Sequence, residues 1–396
     1  MRPRLTRRAA MLGALAAPAL TRLARAEAAP ILLGSLTPQT GAGGSYGPAM
    51  VKSIRAVIDA VNGAGGVLGR KIELVSEDDE TNPDAGVRAA RKLIDVNKVP
   101  AILGTWASSV TTAVAPLCWQ SRTMLFTVSG ADSITQMPHQ GYIIRTQPNT
   151  HLQMARFAEF MASQGAKRVY FLAAQTPFTI DSYNRAGEVL KAHGAATIGQ
   201  SVYDASKTSF RSEVDAAIKA KPDAIMLNGY TPDSIVLLRE LFQAGYTGRK
   251  YALAYAANAK LLASLPAAVT DGLVAMAPSP DIGSDAYKAV QAIVGPDPDP
   301  YSCQTYDHAS LAILAMAQAK AATGLAIHDA VRKVGDPAGT KVTSAVSGLK
   351  LLAAGHAVNY EGASGPCKFT PTGDIVNCKF RFDAAEKGKY KLLSIS

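Results

Sequence analysis

The sequence is poor in cysteine, in tryptophan and in clustered charge, and each shortage excludes something. Four cysteines in 396 residues are too sparse for a scaffold held together by disulfides. No basic run and no interleaving of basic with aromatic residues occurs, which argues against nucleic acid as a partner. The six histidines (139, 151, 193, 308, 328 and 356) include no H-E-x-x-H pair and no close metal-ligand spacing. A G-x-S-x-G nucleophile elbow is also absent. The glycine run GAGGVLG at 63–69 misses the dinucleotide fingerprint, and it follows a helical period and precedes a strand, the reverse of what pyrophosphate binding requires. No catalytic centre, metal or cofactor is therefore expected.

What is present begins with an export leader. Four arginines precede an uncharged stretch from Ala9 to Thr21, and Ala24-Arg25-Ala26 fits a small-residue cleavage site. That stretch is shorter than the roughly 20 residues a membrane span needs. Arg7-Arg8 after Thr6 resembles a twin-arginine signal. The predicted mature chain starts at Glu27 in the periplasm. Removing the leader's six arginines from the 41 basic residues leaves 35 against 31 acidic ones, a net of about +4 rather than +10. In that oxidising compartment Cys367 and Cys378 are a candidate disulfide across two arms of one hairpin, CKFTPTGDIVNC. Cys118 and Cys303 lie in apolar helical contexts and read as buried thiols.

Short apolar runs then alternate with helical periods. ILLGSL is followed by a stretch with Val51, Ile54, Ile58 and Val61 on one face. KIELVSED leads to Asn82-Pro83, a cap with a first-turn proline. VPAILG leads into a helix near Ser109. A second series of the same kind starts at KRVYFLA near residue 167. Repeated βα units predict an α/β protein with two doubly wound parallel lobes. Ligands on such sheets sit beyond the carboxyl ends of the strands, beside helix N-termini. The stretch ILGTWASSVTTAVAPL (102–117) occupies that place, where Ser108 and Ser109 can offer hydroxyls and first-turn N–H groups to an anion. The bland alternative is that Ser109 only caps the helix. The acidic run Glu77-Asp78-Asp79-Glu80 reads as a solvated strand end, with one carboxylate tying down a neighbouring loop.

GSLTPQTGAGGSYG, DAVNGAGGVLGRKIELVSEDDETNP, ILGTWASSVTTAVAPL and YIIRTQPNT follow in the order of the type I periplasmic binding proteins. The chain resembles the leucine/isoleucine/valine-binding group, the receptors of ABC importers, from about Pro30 to its end. The resemblance implies two lobes joined by three hinge crossings, with residues 27–148 plus 279–355 in the first lobe and 149–278 plus 356–396 in the second. By position it makes Ser108 the residue that takes a ligand carboxylate, with Trp106 and Ser109 beside it. Ser129, Gly130 and Ala131 match a loop whose carbonyl meets an ammonium group, and Tyr46 matches an aromatic of the first loop. Phe178 and Tyr230 would cover the ligand from the second lobe, and Tyr255 is a further candidate for lining the cleft.

Two departures matter. No carboxylate lies between Lys250 and Lys260, where amino acid binders place the partner of the ammonium, although Asp132 is a candidate substitute. The family's frequent first-lobe disulfide is also excluded, because Ala107 and the region near Glu80 carry no cysteine. The implied function is a monomeric periplasmic receptor that traps a small carboxylate and delivers it to permease subunits in the inner membrane. Its ligand would be a branched-chain or other hydrophobic amino acid. The rivals are an aromatic or aliphatic acid without the amine, or an amide; a sensor or an exported enzyme is more remote.

Overall fold

The computed structural model describes residues 28–396; the leader and its expected cleavage near Ala26 lie outside them. The first sheet holds β1 (Ile31–Thr37), β2 (Ile72–Asp78), β3 (Ala101–Thr105), β4 (Met124–Thr127) and β5 (Ile143–Arg145) in the order β2-β1-β3-β4-β5. Every pairing in it is parallel. β3, β4 and β5 are buried throughout, as expected where helices cover both faces of a parallel sheet. On one face the helix Gly47–Gly63 lays Met50, Ile54, Ile58 and Val61 against the sheet and against the helix Pro300–Ala319, which is buried from Tyr301 to Met316.

The second sheet holds β6 (Arg168–Ala174), β7 (Ala196–Tyr203), β8 (Ala224–Asn228), β9 (Arg249–Leu253) and β10 (Leu273–Ser279), all parallel. A small third sheet joins β11 (Thr340–Val342), β12 (Val358–Gly362) and β13 (Gly365–Pro366). The C-terminal hairpin, β14 (Lys379–Glu386) and β15 (Lys389–Ile395), then extends the second sheet antiparallel, in the order β15-β14-β10-β9-β8-β6-β7. These are two doubly wound α/β lobes. Among the described residues no single helix is long and apolar enough to cross a membrane.

The chain passes between lobes three times, beside Thr146, Pro280 and Asn377, and the three passages line one small cavity of about 250 Å³. The third passage lies later than expected. Residues 356–376, assigned in sequence to the second lobe, pack on the first. β12 pairs with β11, and Tyr360, Cys367, Phe369 and Ile375 enter the core around the Pro300–Ala319 helix. A buried Asp307 on that helix holds the segment, accepting from Tyr360 Oη and from the Ala363 and Ser364 N–H groups at 2.8 Å each. Burial pushes this carboxyl up to about 6.

The expected Cys367–Cys378 bridge is absent, and all four cysteines are free thiols. The Phe369–Ile375 bridge sets a register in which Asn377, not Cys378, falls opposite Cys367. Because side chains alternate faces along a strand, one residue of offset turns the second sulfur away.

Candidate functional site

Between the lobes lies a cavity of about 450 Å³. Three helix N-termini reach it, each following a strand of the two sheets. The helix Ser108–Ser121 follows β3 and presents Ala107 and Ser108, while Pro177–Ala192 follows β6 and presents Thr176, Phe178 and Thr179. Thr231–Gln243 follows β8 and brings Gly229 and Tyr230. Trp106, Val128, Gly130, Gln147, Tyr255 and Tyr301 complete the wall, and no charged side chain lines it. The Tyr230 phenol is pushed up to about 12 and that of Tyr255 well above its ordinary value, both chiefly by burial. The two hydroxyls therefore stay neutral at physiological pH.

Thr176 caps the Pro177–Ala192 helix and Asp233 of the Thr231–Gln243 helix reaches back to the Tyr230 N–H, whereas no side chain among the described residues bonds the start of the Ser108–Ser121 helix. Its N-cap is Ala107, so Ser109 falls inside the first turn and does not cap it. Ser108 Oγ accepts from the Ala131 N–H at 3.2 Å, which leaves its own proton free for an acceptor in the cavity. The first-turn N–H groups have no intrahelical partner, and they carry the positive end of the helix dipole. Three neighbouring hydroxyls are tied to backbone carbonyls. Thr111 donates to the Ala107 carbonyl at 3.1 Å, Thr112 to that of Ser108 at 2.8 Å, and Ser129 to that of Trp106 at 2.8 Å.

The structure thus brings Trp106, Ser108, Gly130, Phe178, Tyr230 and Tyr255 together around the cavity, and leaves Ser109, Ser129 and Ala131 outside its wall. Ser129 is buried beneath it, and the Ala131 carbonyl accepts from the buried Arg145 at 2.6 Å. Arg145 is in turn ion-paired with Asp374. Tyr46 stands behind the wall, stacked on Trp106 with ring centroids 5.5 Å apart. Asp132 does not line the cavity. Its carboxylate accepts from the His151 N–H at 3.1 Å, and its own N–H donates to Asp181 across the cleft at 3.0 Å.

The lobes touch. Trp106 of the first lies 5.8 Å from the rings of both Tyr230 and Tyr255 of the second. Tyr46 Oη accepts from Asn258 Nδ2 at 2.9 Å. This is a closed arrangement.

Sequence reasoning missed Tyr301, Gln147, Thr176 and Thr179. Tyr301 had a usable signal, since Asp299-Pro300 is a cap followed by a first-turn proline. The acidic run splits in two. Asp78 ties down the loop before the Gly47 helix, accepting from the N–H groups of Gln39 (2.9 Å) and Thr40 (3.2 Å). Asp79 is not solvated: it is fully buried and one of its oxygens has no partner among the described residues. Burial raises it to about 7, and its charge acts on Tyr230 across the cleft.

A family model described as "Periplasmic binding protein" matches residues 30–389. The chemotactic signal transduction system substrate-binding protein BasB of Halobacterium salinarum is 27% identical over 86% of this chain and 84% of its own length. The leucine binding protein LivK of Thermotoga maritima superposes with a TM-score of 0.79 at 21% identity, covering 92% of this chain and 98% of that one. An ABC transporter solute binding protein from R. palustris in complex with 4-hydroxybenzoate gives 0.76 at 19% identity, covering 93% and 97%. At these identities the two structures support the fold alone.

Proposed function

The chain belongs to the periplasmic binding protein family, and from that premise we propose that it is the receptor of an ABC importer and closes on a small monocarboxylate. Members of this family are substrate-binding receptors rather than enzymes. The observation that carries the ligand class is the uncapped N-terminus of the Ser108 helix, opening with two other helix N-termini into a cavity free of charged side chains. Unpartnered N–H groups and aligned dipoles favour an anion, and the Ser108 hydroxyl adds a donor. The apolar body of the ligand then meets Trp106, Phe178 and Tyr255.

An α-ammonium has no counter-charge in this wall, and desolvating it there is costly. A branched aliphatic or aromatic acid without the α-amine therefore fits best. A hydrophobic amino acid is the second reading, favoured by the neutral acceptors that Gln147, Tyr230 and Tyr255 supply. The resemblance to a chemotactic relative supports signalling as a second destination for the same bound state.

Calorimetry with matched pairs tests this, 4-methylpentanoate against leucine and phenylpropanoate against phenylalanine. Each acid is expected to bind at least tenfold more tightly than its α-amino counterpart. Leucine binding with no detectable binding of 4-methylpentanoate would return the site to amino acids.

A further inference from the structure

A second, larger cavity of about 900 Å³ lies between the lobes, on the far side of two tyrosines. Tyr255 and Tyr301 are the residues whose side chains belong to both walls. The two cavities differ in charge. The first has no charged group, whereas Asp297, Asp299 and Asp383 face the second, opposed by Arg381 alone. Arg381 is already engaged. Its Nε and Nη2 donate to the two oxygens of Asp383 at 2.8 and 2.9 Å, and its Nη1 donates to Asp297 at 3.2 Å. The remaining wall is mostly apolar, with Leu253, Met276, Ala277 and Pro298 prominent. A mostly apolar chamber with a few convergent polar groups has the features of a small-molecule site.

We propose that the two cavities form one composite site for an ω-amino carboxylate, an acid whose ammonium group is carried at the far end of an apolar chain. The inference rests on the carboxylate reading of the first cavity and extends it. The carboxylate sits at the Ser108 helix, the chain passes between the rings of Tyr255 and Tyr301, and the ammonium reaches the acidic chamber. Asp297 is the acceptor with capacity to spare, because it stands at the solvent-facing mouth with 74% of its side chain exposed and only one contact from Arg381. Asp383 is closed off by its bidentate pair, and Asp299 caps the Pro300–Ala319 helix through the N–H groups of Tyr301 and Ser302. The missing counter-charge in the first cavity is thereby explained: the anion partner of the ammonium lies one aromatic layer away.

The test is calorimetry of the mature protein with hexanoate, 6-aminohexanoate and leucine, repeated on Asp297→Lys and Ala277→Phe. Asp297→Lys reverses the charge at an exposed position, and Ala277→Phe fills the second chamber without touching the first. The wild type is expected to bind 6-aminohexanoate at least tenfold more tightly than hexanoate. Asp297→Lys should abolish that preference while leaving hexanoate affinity within about twofold. Ala277→Phe should weaken 6-aminohexanoate alone; if it does not fold, Asp297→Lys by itself decides the matter. Hexanoate binding without an amino preference, or a preference that survives Asp297→Lys, overturns this inference and leaves the carboxylate reading standing. Leucine binding more tightly than 6-aminohexanoate puts the ammonium in the first cavity and also overturns it. No binding of either acid overturns both.

Discussion

The two faces of the ligand cavity are built on the same βα plan and behave differently. The first-lobe face sets the bare start of the Ser108 helix beside Trp106 and Tyr301, and it is braced from below. The uncapped Ser108 helix meets the hydroxyls of Thr127 and Ser129 through its own Thr111, and the 129–131 loop is held by Arg145. The second-lobe face is aromatic, and its helices are capped by their own residues: the Thr179 N–H donates to Thr176 Oγ1 at 3.2 Å and the Tyr230 N–H to Asp233 at 2.8 Å. A helix terminus that satisfies itself has less to offer a ligand, while a bare one is an anion site. The difference implies a division of labour, in which the first lobe captures the carboxylate and the second covers the apolar body when the cleft closes.

Three changes break or sharpen this comparison. The largest effect is expected from pH and Asp79, a burden carried by the first-lobe face. Burial raises this carboxyl from the ordinary value of 3.8 to about 7. Its contribution to stability is complete below about pH 4 and is lost as pH rises through about 7, because the folded state holds a proton that the unfolded state has released. Each pH unit separating the folded from the unfolded titration corresponds to about 1.4 kcal/mol, so the loss is about 4 kcal/mol. Asp79→Asn should flatten this segment of the stability–pH curve in urea unfolding; an unchanged slope would show that Asp79 is not the group that titrates. Asp307, also raised by burial, acts with the same sign over a narrower range, and the buried His308, lowered to about 3, acts with the opposite sign below about pH 6.5.

Next is Ser108→Ala. Losing one hydrogen bond to a charged group costs about 1.5–3 kcal/mol, or about tenfold to a hundredfold in affinity for any carboxylate that binds. The melting temperature without ligand should fall modestly, because Ser108 is not the N-cap but its Oγ is the acceptor for the buried Ala131 N–H. Equal affinity in mutant and wild type would assign capture to another element.

The smallest effect is expected from Tyr46→Phe, which leaves the stack on Trp106 and removes the hydroxyl that meets Asn258 and Ala254 across the cleft. It should weaken binding by about 0.5–1.5 kcal/mol, all of it through closure. Stopped-flow fluorescence is expected to show faster release with an unchanged association rate; a slower association rate would move Tyr46 to the capture face.

The features legible in advance are those carried by neighbouring residues. Apolar runs alternating with helical periods are enough to specify two doubly wound lobes, since a parallel strand and its covering helix each announce themselves within about ten to fifteen residues. The Asn82-Pro83 helix start, and the placing of Trp106 and Ser108 where β3 hands over to its helix, are of the same kind.

Tertiary structure alone decided the rest. Whether a hydroxyl faces the cavity or a carbonyl beneath it depends on a rotation of one residue along a helix or strand, which is why Ser108 lines the wall while Ser109 and Ser129 do not. The same single-residue logic separates Cys367 from Cys378. The late third crossing follows from the grip of Asp307 on residues some 50 positions away. Asp79 and Asp78 are adjacent in sequence and opposite in environment, because burial is set by what distant elements place on top of a residue, and sequence order does not encode that distance.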